Sequence, residues 1–197
     1  RLATLDTSHG CDDATALALC RDFSRFGVLC ATREGPQGVA RMTRRIERLL
    51  HMPVADALGW YNGRPVMVTR NDHTLGLMNG DIGLCLPHPD GGWRVAFPDT
   101  DGSGQTRVRW LQTARLGQVE TVWAMTVHKS QGSEFEQVLL VLPEQISPVL
   151  TRELVYTGLT RARERLTLWA PSLAVLQHAC QQRVQRSGGL AGHTPPG

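Results

Sequence analysis

Lysine is almost missing from this chain. Of the 21 lysines and arginines, a single one is lysine, Lys129. The arginines are spread along the sequence and the net charge is only +3. A massed basic tail is thereby excluded, and an anionic partner is permitted without being demanded. The five cysteines, Cys11, Cys20, Cys30, Cys85 and Cys180, are odd in number and far apart. No CxxC pair or Cys/His spacing is present, which excludes a zinc module and a disulfide framework. They read as reduced thiols of a cytoplasmic protein, most of them small core residues. No apolar run has membrane-spanning length and no signal-peptide pattern is present, so no membrane partner is expected. No GxxxxGK[ST] loop occurs, which excludes a Walker A phosphate cradle within these residues.

The one lysine stands in the most concentrated polar cluster of the chain. Thr121 to Phe135 reads TVWAMTVHKSQGSEF. Its first half, Val122–Thr126, has the pattern of a buried strand around a tryptophan. Then His128, Lys129, Ser130 and Gln131 come together, and Gly132 frees the backbone to turn. Glu134 and Phe135 follow, and a second apolar run, Val138–Leu142, begins. A polar cluster at the end of a buried strand is where α/β proteins place ligands. An ammonium there suits a phosphate or a tight polar pocket, and a solvated loop lysine is the bland alternative.

The rest of the chain frames this cluster. It opens on Arg1 in mid-helix pattern and reads as a piece of a longer polypeptide. A helix is expected over 12–26, a strand over Val28–Ala31, and a helix from Val39 to Leu50. Between the last two lies the turn Thr32-Arg33-Glu34-Gly35-Pro36-Gln37-Gly38. Strand, glycine-containing turn and helix make the βα unit of a parallel sheet, whose helix N-terminus offers free N–H groups to an anion. A surface ion pair for Arg33 is the plainer reading. From 60 to 118 the character changes. Short β-type runs (Arg64–Arg70, Gly83–Leu86, Trp93–Phe97 and Arg107–Leu111) alternate with Asn-Gly and Gly-Gly turns, the pattern of a small antiparallel barrel. After 121 the α/β pattern resumes. Pro148 opens an expected helix running to Glu164, followed by a strand Leu166–Trp169 and a helix Ser172–Val184. The Gly/Pro-rich tail 187–197 is expected to be disordered.

On a helical wheel, Arg161 falls within the apolar arc of that 148–164 helix. A guanidinium there needs an anion, because an unpaired buried charge is prohibitively costly. Three partners remain open: a core carboxylate, solvent reached by snorkelling, or a phosphate at a domain cleft.

At this point the residues form a familiar set. AMTVHKSQGSEF followed by LVYTGLTRARERL resembles motifs V and VI of superfamily 1 helicases, in the form of the RecD branch, the α chain of exodeoxyribonuclease V. LCATREGPQGV, WYNGRPVMVTRNDHTLGLMNGDIG and the TRELVYT run match the same family in the same order, so the resemblance covers Phe26 to Arg186. It implies an α/β, RecA-like second motor domain (1–58 and 119–186) with an inserted small SH3-like β barrel (59–118). ATP would bind between this domain and an N-terminal motor domain. By resemblance, Thr126, His128, Lys129, Ser130, Tyr156 and Thr160 would face DNA. Gly132, Glu134 and Arg33 would face the nucleotide, and Arg161 would be the catalytic arginine finger. Arg70, Asn71, Asn79, Gly80 and Asp81 match the barrel signature and are expected as structural turns. Met42-Thr43 departs from the Leu-Asn pair that the family suggests.

The implied activity is ATP-dependent 5′→3′ DNA unwinding within the RecBCD complex, with single-stranded DNA, RecB and RecC as partners, ATP and Mg²⁺ as cofactors, and repair and recombination as the setting. Motifs I and II are absent, so these residues alone are expected to be inactive as an ATPase. No clustered carboxylates with a lysine point to the nuclease of such a complex. Two alternatives are a stand-alone RecD-like or Pif1-like helicase and a non-catalytic DNA-binding or assembly module.

Overall fold

The computed structural model describes residues 10–184. The expected disordered tail and the opening residues 1–9 lie outside the described residues. The chain builds two sheets. The first is parallel and four-stranded, in the order β7-β1-β8-β9, with β1 Phe26–Cys30, β7 Met125–Thr126, β8 Phe135–Val141 and β9 Ala162–Trp169. The second is antiparallel and five-stranded, in the order β5-β4-β3-β2-β6, with β2 Pro65–Val68, β3 Ile82–Pro87, β4 Trp93–Thr100, β5 Thr106–Gln112 and β6 Val119–Thr121. The strands of the second sheet fall between β1 and β7 in the chain and so interrupt the first.

The parallel sheet is covered on both faces, as its near-continuous apolar strands require. Helix α2 (Val39–Leu49) lays Met42, with Val39 and Ile46 beside it, on Val28, Cys30, Ala124 and Val141. Helices α3 (Arg152–Leu159) and α4 (Leu173–Gln181) cover the other face, where Leu154, Val155, Val175 and Ala179 meet Leu29, Leu140 and Leu142. Alternation governs the second sheet. Leu84, Leu86 and Ala96 turn one way and pack under helix α1 (Asp13–Ser24) with Ala16, Leu19 and Cys20. Cys85, Val95 and Phe97 turn the other way, onto Val66, Val68, Trp60 and Leu111. Helix α1, which precedes β1 in the chain, thus packs on the second sheet, and Trp110 Nε1 donates to Asp13 Oδ1 at 2.7 Å.

Two expectations need correction. The strand expected over Val122–Thr126 forms only at its end, as β7, and the residues just before that span form β6 in the other sheet. β6 pairs with β2 through Val66↔Thr121 and Met67↔Glu120, while β7 pairs with β1 through Leu29↔Met125 and Cys30↔Thr126. Val122, Trp123 and Ala124 between them are buried as the chain crosses over, which is why they read as strand. The helix expected over 148–164 is α3 alone. It starts where the Thr151 hydroxyl accepts from Leu154 N at 3.2 Å, and it gives way to β9 at Ala162. Pairing with β8, from Phe135↔Ala162 to Val141↔Trp169, overrides the helical periodicity of the charged run. The antiparallel module has the expected short strands, hydrogen-bonded in one order from β5 to β6.

Candidate functional site

All four strands of the first sheet run the same way, so the loop 127–134 leaves the carboxyl end of β7 and must reach the amino end of β8. It delivers two polar clusters to opposite edges of one sheet.

At the carboxyl edge, Arg33, Thr43, Glu120, Thr126 and Lys129 line a cavity of about 430 Å³. Arg33 arrives on the turn after β1. That turn is closed by Gly38, where a Cβ would stand 2.4 Å from the Glu34 carbonyl oxygen, so only glycine fits. Thr126 Oγ1 accepts from Lys129 N at 3.3 Å and fixes the start of the loop. The Lys129 ammonium is paired with Glu120 of β6, each side chain about one-third exposed (34% and 31%). The only lysine therefore ties the motif loop to the second sheet. Thr43 Oγ1 is buried with no hydrogen-bond partner; the position that departs from the family pattern leaves an orphan hydroxyl at this cavity. His128 is exposed beside it.

At the amino edge stand Gly132, Ser133, Glu134 and Arg161. Gly132 has φ +87°, a left-handed turn that favours glycine. Arg161 follows α3 in the turn before β9 and is half-buried. Its Nη1 donates to Ser133 O at 3.1 Å and its Nε to Thr157 O at 3.3 Å, while its own carbonyl accepts from Phe135 N at 2.9 Å. Backbone carbonyls, not a core carboxylate, hold this guanidinium. Its Nη2 meets no acceptor among the described residues. Glu134 accepts from Arg163 at 2.7 and 2.8 Å. Tyr156 is 66% exposed on the free face of α3, and Thr160 Oγ1 donates to Thr157 O at 3.0 Å.

The residues expected to act together are thus sorted differently. Arg33 stands with Thr126 and Lys129, not with Arg161 and Glu134. Tyr156 and Thr160 stand near Arg161, not near His128. Ser130 is a correction: it is 0% exposed and its hydroxyl donates to Val127 O at 2.7 Å, so it holds the turn and presents nothing to a ligand. Sequence reasoning did not single out Glu120 or Arg163. Each is visible only through a partner brought from a distant segment. No group of three or more His, Cys, Asp or Glu side chains capable of holding a metal ion occurs among the described residues. Arg161, with a free guanidinium edge beside a glycine turn, fits a phosphate.

A model of the UvrD-like helicase C-terminal domain matches residues 121–169. That span holds both clusters' loop and the Arg161 turn. The RecBCD enzyme subunit RecD of Mycobacterium tuberculosis is 41% identical over 83% of this chain. The chain is similar in sequence to RecD subunits over most of its length. The chain spans 28% of that relative's length. The ATP-dependent RecD2 DNA helicase of Deinococcus radiodurans is 34% identical over 83% of this chain and 22% of its own length. A solved structure of Bacteroides Pif1 helicase with ADP-AlF3 and single-stranded DNA aligns with 82% of this chain and 48% of its own, at 17% identity and a TM-score of 0.47.

Proposed function

We propose that this chain is the second, RecA-like motor domain of an ATP-dependent DNA helicase subunit that works in a RecBCD-type complex on broken DNA. In this reading residues 1–58 and 119–186 form the motor domain and 59–118 an inserted module. The observation that carries it is the loop 127–134. One end holds a cation at a cavity on the carboxyl edge, and the other end holds Arg161 at the amino edge.

The Lys129 cavity, with Arg33, Thr126 and exposed His128, is the DNA-facing end. Contacts there would go to phosphates and be salt-sensitive and indifferent to sequence. Arg161 is the nucleotide-facing end. Its free Nη2 edge would meet the transferring phosphate, where a guanidinium stabilises developing charge. ATP, when bound, supplies the phosphoanhydride whose cleavage drives the cycle. Its cradle and metal ligands would come from the N-terminal motor domain. Arg161 is hydrogen-bonded to Ser133 O, so movement of Arg161 upon closure pulls on the loop that carries Lys129. The two contacts are coupled through one short segment of backbone.

The test is Arg161→Ala in the full-length protein. ATP turnover should fall by about 10³-fold or more, with single-stranded DNA binding largely kept. Unchanged turnover would overturn the assignment. The likeness to RecD2 favours one second reading, a helicase that acts without RecB and RecC. Co-purification with those subunits separates the two.

A further inference from the structure

Helix α2 carries Arg41, Arg44, Arg45 and Arg48. The spacings are i, i+3, i+4 and i+7, so the four share one flank of the helix, with Arg41, Arg44 and Arg48 turned from the face that Met42 buries and Arg45 at its border. Every neighbouring pair on this face is like-charged, which destabilises an isolated helix. Nothing on the helix relieves it. No acidic residue stands in the first turn, and the one carboxylate, Glu47, accepts instead from the Tyr61 hydroxyl. None of the four arginines has a carboxylate partner among the described residues. Arg44 and Arg48 spend only Nε, on the carbonyls of Ala40 and Arg44 at 3.3 Å. Arg45 lies over the Trp169 ring, 5.4 Å from its centroid, which orients the guanidinium plane and leaves its edge free.

These arginines border a groove of about 920 Å³ that Glu47, His51, Pro53 and Tyr61 also line. Arg41 and Arg48 are about 10 Å apart along the axis at about 1.5 Å per residue. The face is therefore a line of charge, which suits a polyanion better than a single phosphate. It also lies on the helix that borders the candidate DNA site. The first turn of the same helix, Val39 and Ala40, lines the cavity that holds Arg33 and Lys129.

We propose that the arginine face of α2 is a second segment of the nucleic-acid track, binding the phosphodiester backbone of a single strand that continues from the Lys129 cavity. It rests on the DNA reading of that cavity and extends it. Arginine forks bind phosphate oxygens bidentately, and each phosphate neutralised adds to the salt dependence.

The experiment is fluorescence anisotropy of labelled oligothymidylate on the 197-residue chain, across a salt series, at two lengths: about 5 nucleotides, enough for one site, and about 16, enough to run on. With Arg41→Gln, Arg44→Gln and Arg48→Gln together, the long oligomer should lose about tenfold or more in affinity at low salt, and the slope of log K against log salt should flatten by about 2, at about 0.7 per phosphate. The short oligomer should be unaffected. The three Arg→Lys changes should restore the slope, and Lys129→Gln should weaken both lengths. If the triple variant does not fold, Arg44→Gln and Arg48→Gln singly should each flatten the slope by about 0.7. An unchanged long-oligomer affinity and slope, with Lys129→Gln still weakening both lengths, overturns the α2 track and leaves the Lys129 reading standing. A loss in the triple variant with none in Lys129→Gln supports α2 and sinks that reading. No binding by the unaltered chain at either length overturns both. Displacement of the long oligomer by a Glu-rich peptide of equal charge at lower concentration than by unlabelled oligomer overturns the nucleic-acid assignment in favour of an acidic protein segment.

Discussion

The pairing of the only lysine with Glu120 makes a prediction that runs against intuition about charge removal. In the proposed DNA reading of the carboxyl-edge cavity Lys129 would meet a phosphate, yet Glu120 of β6 already holds it. A phosphate must compete with that carboxylate. Glu120→Gln should therefore strengthen single-stranded DNA binding. The side chains are 34% and 31% exposed, so solvent screens the pair, and such pairs are worth roughly 0.2–1 kcal/mol. Releasing that competition raises affinity by at most about fivefold, since about 1.4 kcal/mol is tenfold. The salt slope should steepen by up to about 0.7 as Lys129 takes a phosphate of its own. Fold stability should fall by less than about 1 kcal/mol for loss of a partly screened pair. The assay is anisotropy of a labelled oligothymidylate across a salt series, with Lys129→Gln run beside it. Weaker binding in Glu120→Gln would show that the carboxylate positions Lys129 instead of competing for it. Unchanged affinity and slope, with Lys129→Gln weakened, would show no competition. Either result refutes the reasoning.

Other expectations follow from the fold. Thr151→Ala should cost about 1 kcal/mol in a denaturant melt, because it removes the hydroxyl that caps α3 at Leu154 N, whereas Ser147→Ala at the sequence-expected helix start should stay within about 0.5 kcal/mol. Burial pushes the thiols of Cys20, Cys30 and Cys85 up to about 12 from 9.0. Between those values the folded state keeps protons that the unfolded state has released, so stability should be full below about pH 9 and fall steadily towards pH 12; a flat melting temperature over that window would contradict the burial. A thiol-reactive chromophore should label the exposed Cys180 at once, and the buried Cys11, Cys20, Cys30 and Cys85 only at the rate of opening; more than one fast thiol would contradict the packing.

Much of this fold was legible because local pattern and tertiary context agree. Helices α1 and α2 and strands β1 to β5 follow from their periodicities, and their turn residues mark the ends. The failures occur where the two conflict. The run after Leu159 is rich in charge and good helix formers, and it reads as helix on every local scale. In the structure it is the edge strand β9, set by pairing to β8, and most of its side chains stay exposed. An edge strand buries too little to print alternation on its sequence. Likewise, Val122 to Ala124 are apolar because they are buried in passage between two sheets. Burial alone does not distinguish a crossing from a strand.

The candidate site was legible to a different degree for a related reason. A motif fixes which residues are adjacent in sequence, and here a short loop carries adjacent residues to opposite edges of a sheet. His128 and Lys129 sit only a few residues from Gly132 and Glu134, and nothing in their spacing says that a turn separates a cavity from a cleft. The partners that decide each group's chemistry come from elsewhere: Glu120 from β6 for Lys129, Ser133 O for Arg161, Arg163 for Glu134. The helical wheel asked the right question of Arg161, namely what satisfies its charge, and answered it in the wrong conformation. Once Arg161 leaves the helix its burial is only partial. Two carbonyls then suffice, and one edge of the guanidinium remains for an anion supplied from outside the chain. An incompletely satisfied charge in a turn is a feature that propensity and periodicity cannot register.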